Sequence, residues 1–188
     1  MRLALLRHAD TAWSAEGRIQ GRSDVPLSDG GRAALRAFRL PKDCASMRLV
    51  TSPLTRCVET AALLGAPQAT REPRIAEMSW GEWEGRRLAE LRSELGASMQ
   101  QNEARGWDFR PPGGESPREV LARVMSWLAG LDGPTLAITH RGVMRAIFAA
   151  AAGWDMVGKP PAKLDWSAVQ LFRLDGDAMP SIEQLNLR

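Results

Sequence analysis

Three short apolar runs limit what this chain can fold into. Leu3-Ala4-Leu5-Leu6 stops at Arg7-His8, Met47 to Thr51 stops at Ser52-Pro53, and Thr135 to Thr139 stops at His140-Arg141. Each is too short for a helix; Leu3 to Leu6 is continuous rather than alternating, the pattern of a strand buried on both faces, and Met47 to Thr51, which contains Arg48, and Thr135 to Thr139 are further short strand candidates. Helical patterns stand between and after them. Ser28 opens one that runs to about Leu40, with Ala34, Leu35 and Phe38 on one face and Pro41 as the stop. Ser52 and Pro53 read as the N-cap and first position of a second, carried by Val58, Ala61, Ala62 and Leu64 and ended by Gly65. Residues 86–96 place Leu88, Leu91 and Leu95 on one face. Ser116-Pro117-Arg118-Glu119 is a capping box that opens a helix running to Leu131, and another helix spans about Gly142 to Ala152. Residues 9–27 and 111–114 read as loops, residues 98–112 cannot be placed in space, and 168–174 with 181–187 read as a hairpin around Asp175-Gly176-Asp177. Strands alternating with helices imply an α/β domain with a mostly parallel sheet.

At 188 residues the chain suits one domain, residues 1–188, large enough to bury roughly 70% of its unfolded surface. His8 and His140 are the only histidines and there is no tyrosine. A three-histidine metal site and a tyrosine catalyst are therefore excluded, and imidazole chemistry must use these two positions. The net charge of +3 comes from 25 basic residues, of which only Lys42, Lys159 and Lys163 are lysines. The arginines are interleaved with acids, with no run longer than Arg86-Arg87, so the dense basic arm of a nucleic-acid binder is missing. Cys44 and Cys57 form neither a disulfide framework nor a C-x-x-C pair. The longest apolar run, Ala146 to Ala152, is far short of the ~20 residues that span a bilayer, and the first six residues lack a signal-like apolar stretch. The expectation is a cytoplasmic protein with reduced thiols, without a membrane or nucleic-acid partner.

In parallel sheets of this kind, ligands bind beyond the carboxyl ends of the strands. Both histidines stand at such ends, each beside an arginine. A histidine–metal pair fits poorly, because arginines repel a cation and no third ligand stands at useful spacing. An anion site fits better. Arg7 and Arg56 offer forked donors, and helix starts near 53 and 142 would add backbone amides.

The same residues carry a family resemblance. Leu6-Arg7-His8-Ala9-Asp10-Thr11 resembles the Arg-His-Gly motif of the histidine phosphatase superfamily, which includes the cofactor-dependent phosphoglycerate mutases. Further segments follow in the family's order: Gly17-Arg18-Ile19-Gln20-Gly21 with Asp24-Val25-Pro26-Leu27-Ser28, then Thr51-Ser52-Pro53-Leu54-Thr55-Arg56, then Glu77-Met78-Ser79-Trp80-Gly81-Glu82. Pro112-Gly113-Gly114-Glu115-Ser116 resembles a loop of the phosphatase branch, and Thr139-His140-Arg141-Gly142 the second-histidine motif. The resemblance implies a three-layer α/β/α sandwich of the phosphoglycerate mutase-like type. It implies His8 as nucleophile, Arg7, Arg56 and His140 as phosphoryl ligands, and Glu77 as proton donor, with no metal and no cofactor. Ser14, Arg18, Gln20 and Gly21 would lie on the phosphate approach. Arginines suit such chemistry, since phosphoryl transfer rests on positioning and charge stabilisation.

Several neighbours read as architecture. Trp80 and Trp83 read as packing, Glu84-Gly85 as a turn, Glu115 as loop structure and Cys57 as core, while Glu82 is the alternative acid. The sequence departs from the family pattern at Ala9, where glycine is usual, at Ser14, where asparagine is frequent, and at Arg141, where a small residue is frequent. The implied activity is metal-independent hydrolysis of a small phosphorylated metabolite, and the bacterial α-ribazole-phosphate phosphatases are similar in length and layout. The alternatives are a mutase, expected to be longer, and a non-catalytic phospho-ligand-binding module. Oligomeric state is not legible.

Overall fold

The computed structural model describes all 188 residues. The three apolar runs become β1 (Arg2–Arg7), β2 (Arg48–Thr51) and, after a two-residue β3 (Thr70–Arg71), β4 (Thr135–Thr139). The C-terminal hairpin is β5 (Val169–Leu174) and β6 (Pro180–Leu187). The sheet order is β3-β2-β4-β1-β5-β6. Neighbours from β3 to β1 are parallel, whereas β5 is antiparallel to both β1 and β6. The helices are α1 (Ala12–Ala15), α2 (Asp29–Ala37), α3 (Thr55–Leu63), α4 (Leu88–Glu103), α5 (Pro117–Leu128) and α6 (Arg141–Ala152).

The pleat of β1 defines the layers. Leu3 and Leu5 pack with Val120 and Val124 of α5 and with Ile147 and Phe148 of α6. Ala4 and Leu6 point the other way, where Phe38, Leu40 and Leu64 follow α2 and α3. Cys57 and Ala61 of α3 meet Ile138 on that second face. Continuous apolar strands are thus covered by helices on both sides, as a parallel sheet requires. No helix is long and apolar enough to cross a membrane.

Register places the site. Arg7 pairs with Thr139 and Thr51 with Ile138. The residues just past these ends, His8, His140 and Ser52, therefore leave the sheet together at one edge.

Four local expectations need correction. Ser52 and Pro53 do not start a helix. α3 begins at Thr55, whose backbone N–H and hydroxyl both donate to the Asp24 carboxylate at 2.7 Å. A side chain from a distant loop thus supplies the cap that sequence placed locally. The 86–96 helix extends to Glu103 through a kink at Gly96, whose φ of +50° and ψ of −120° are open to glycine and strained for other residues. The polar 9–27 stretch holds the short α1, capped by Thr11. The Ser116–Glu119 capping box forms as expected, although α5 stops at Leu128.

Candidate active site

His8 is almost fully buried, and its Nδ1 lies 2.7 Å from the carbonyl oxygen of Ala9. A carbonyl only accepts, so Nδ1 carries the proton and Nε2 is the bare nitrogen. Burial, followed by the Arg7 and Arg56 charges, holds the His8 pKa well below the ordinary imidazole value, against the opposing effect of the Ala9 carbonyl. The ring is therefore neutral, the form a nucleophile needs. Ala9 itself is anchored by its N–H to the Thr60 hydroxyl at 3.1 Å and does not have positive φ, so alanine replaces the family's glycine without strain.

His140 lies 5.2 Å from His8, ring centre to ring centre. Arg56 Nε donates to its Nδ1 at 3.3 Å, so the proton sits on Nε2, which donates to Ser52 Oγ at 2.7 Å. Burial, then the charge of Arg56, depresses its pKa well below the usual range as well. Arg56 is completely buried without a carboxylate partner. Its Nη1 donates to the Ser23 carbonyl at 2.9 Å and its Nη2 to the Gly21 carbonyl at 2.8 Å.

A cavity of about 700 Å³ opens at this edge. Arg7, His8, Ser14, Arg18, Gln20, Gly21 and Glu77 all line it, whereas Arg56 and His140 stand behind His8 and off the wall. Glu77 is buried, and Oε1 accepts from Met78 N–H at 2.8 Å and Gly142 N–H at 3.0 Å. Oε2 takes only a longer 3.2 Å contact from the same Gly142 N–H. In the first turn of α6 the Gly142 N–H is committed to Glu77, as Thr55 N–H at the start of α3 is to Asp24. This narrows the expectation that helix starts near 53 and 142 supply open anion donors. Both dipoles are already met by carboxylates. Ser14 Oγ is likewise engaged locally, with Thr11 N–H at 2.8 Å and Asp10 at 3.1 Å. Gln20 donates to the Thr11 hydroxyl, and Arg18 to Glu16. Glu82 is exposed and lies off the cavity wall.

Two carboxylates that the sequence marks only as turn and loop residues hold the site's loops in place. Glu84, read as a turn, accepts from the backbone N–H groups of Arg22, Ser23 and Trp80 at 2.8, 2.7 and 3.2 Å. It thereby fixes the loop whose carbonyls hold Arg56. Glu115 accepts from Ser79 N–H at 2.8 Å and from Arg123 at 3.0 Å, which fixes the segment following Glu77. Neither is signalled by a local motif, because the loop amides they fix, those of Arg22 and Ser23 for Glu84 and of Ser79 for Glu115, lie more than thirty residues away. Trp83 is core, while Trp80 both packs on Phe109 and lines the cavity. No group of three or more His, Cys, Asp or Glu side chains is placed to hold a metal ion.

The family model of the histidine phosphatase superfamily, branch 1, matches residues 3–187. The chain belongs to that superfamily. Among its relatives, the glucosyl-3-phosphoglycerate phosphatase of Mycolicibacterium vanbaalenii is 31% identical over 94% of this chain and 87% of its own. A 2,3-bisphosphoglycerate-dependent phosphoglycerate mutase of Beijerinckia indica is 30% identical over 92% of this chain and 91% of its own. Mutases of this chain's size thus exist in the superfamily, and length does not separate the two activities. The crystal structure of a mycobacterial glucosyl-3-phosphoglycerate phosphatase with vanadate superposes with a TM-score of 0.81 at 26% identity, covering 100% of this chain and 99% of the other. The crystal structure of TTHB049 from Thermus thermophilus gives 0.76 at 31% identity, with both chains fully covered. The fold is that of this superfamily, and the relatives identified here by activity are phosphatases or a phosphoglycerate mutase.

Proposed function

We propose that the chain hydrolyses a small phosphomonoester through a phosphohistidine on His8. One observation carries this reading: a neutral, buried histidine with one unprotonated nitrogen lines a cavity together with Arg7 and Glu77. The Nε2 lone pair attacks phosphorus as the ester P–O bond breaks, and the departing oxygen takes a proton from Glu77. Oε1 is anchored by two amides, so Oε2 is the oxygen that holds the mobile proton. Positive charge arising on the ring is met by the Ala9 carbonyl at Nδ1. Arg7 meets the phosphoryl oxygens from the wall, and the buried Arg56, its donors held by Ser23, Gly21 and His140, contributes its charge from outside the wall. Water then attacks phosphorus, the N–P bond breaks, and the water proton returns to Glu77. No resident metal or cofactor enters either step.

The likeness to a mutase supports a second reading, in which another hydroxyl replaces water. Phosphate release from 4-nitrophenyl phosphate separates the readings. It is expected to be insensitive to chelator and abolished in His8→Ala. A broad panel of esters left untouched would overturn the hydrolase reading, and transfer between phosphoglycerates without net phosphate release would establish the mutase. α-Ribazole phosphate and glucosyl-3-phosphoglycerate are the first metabolites to try. Glu77→Gln is expected to slow alkyl esters more than aryl esters, and equal slowing would remove the acid role from Glu77.

A further inference from the structure

The cavity carries two positive charges that phosphoryl transfer does not use. Five arginines line it, and three are held by carboxylates: Arg7 by Asp10 at 3.4 Å, Arg18 by Glu16 at 2.6 Å and Arg92 by Glu103 at 2.7 Å. Arg141 and Arg145 have no such partner. Their guanidinium groups lie over tryptophan rings, Arg141 at 4.8 Å from the centre of Trp166 and Arg145 at 5.1 Å from that of Trp154. Stacking on a ring face supports the flat group and leaves its edge N–H donors free.

The charges around them are mostly repulsive. Beyond partial burial, Arg141 is disfavoured by Arg7 and Arg145 by Arg141, with Glu77 the one opposing carboxylate felt at Arg141. Arg141 is exposed and Arg145 half-buried, and both stand among like charges whose repulsion an arriving anion relieves. Position relates the pair to the reacting phosphorus. α6 starts at His140, beside His8, and residues 141 and 145 share one helix face. Arg145 therefore stands about 6 Å farther along the axis from the phosphoryl end.

We propose that Arg141 and Arg145 bind a second anionic group on the alcohol portion of the substrate, so that the enzyme selects phosphomonoesters bearing a carboxylate or another phosphate. This rests on the phosphatase reading for its reaction, but binding tests it separately. Phenylphosphonate, 3-carboxyphenylphosphonate and 1,3-phenylenediphosphonate are not hydrolysed, and calorimetry gives their Kd values directly. The diacids are expected to bind wild type at least about tenfold more tightly than phenylphosphonate. That ratio should shrink as salt is raised and fall toward one in Arg141→Gln and Arg145→Gln. Whichever diacid shows the larger ratio identifies carboxylate or phosphate as the preferred group. A wild-type ratio below about twofold overturns the proposal without any variant, and so does a ratio that both variants retain. The second result would leave the two arginines as covers for the tryptophans. Failure to hydrolyse phenyl phosphate would instead count against the phosphatase reading and leave the binding ratios interpretable.

Discussion

Replacing Gly142 by alanine puts a methyl carbon 2.4 Å from Oε1 of Glu77 and 3.2 Å from Cβ of Met78. The first contact is roughly 1 Å inside van der Waals distance, so the carboxylate must move. Moving it weakens the bonds from Met78 N–H and Gly142 N–H, at 2.8 and 3.0 Å. Leaving a buried donor without its acceptor costs about 1–3 kcal/mol. Alanine in place of helical glycine returns at most about 1 kcal/mol. The net expectation is a loss of about 1–2 kcal/mol in urea unfolding, with partial repair by water. A displacement of that size at a catalytic group costs on the order of 100-fold in rate. For Gly142→Ala, kcat on an alkyl phosphate should fall by about that factor. The fall on 4-nitrophenyl phosphate should be smaller, since its leaving group needs no proton. Propensity alone predicts the opposite sign for stability. A variant slightly more stable than wild type, with unchanged rates on both esters, would refute the reasoning.

Stability should depend on pH through the two histidines. Both native pKa values lie below 6.5, so between those values and 6.5 the unfolded chain binds protons that the native one does not. Their contribution is complete above pH 6.5 and is lost as pH falls, by up to about 2.7 kcal/mol per unit for the pair. Urea unfolding at pH 7 and 5.5 measures it, and a flat profile would contradict neutral buried rings. Arg56→Lys keeps the charge but replaces three fixed donors, those to Ser23, Gly21 and His140, by one ammonium. A loss of about 2–4 kcal/mol is expected, with faster proteolysis in residues 20–24, and wild-type stability would show that these bonds contribute little. Asp24→Ala removes the cap of α3 and should cost about 1–2 kcal/mol by denaturant unfolding. A neutral result would mean that water caps Thr55 equally well.

The elements that position the site were legible because their signals are local. Apolar runs of four or five residues ending at Arg7-His8, Thr51-Ser52 and Thr139-His140 mark buried strands, and parallel pairing carries their ends to one edge. The two-residue β3 had no signal, since its residues are exposed and only their pairing with β2 makes them a strand. At Gly96 the sequence pattern ended the helix, and only the structure carries it past the kink to Glu103.

The sequence by itself determined which groups this chain possesses for chemistry. Two imidazoles, a few well-placed arginines and an acid at 77 all come to one edge of the sheet. Tertiary structure decided what those groups are free to do. Glu77 and Asp24 each take one helix-start amide, those of Gly142 and Thr55, Glu84 and Glu115 hold the loops, and Arg56 points its donors at carbonyls more than thirty residues away. Strand and helix patterns are written in neighbouring residues, whose periodicity follows from backbone geometry. The partner of a buried polar group is whatever the fold brings within 3 Å, and chain order does not encode that. For the same reason the excess of arginine became informative only in three dimensions, where most cavity arginines proved paired and Arg141 and Arg145 did not.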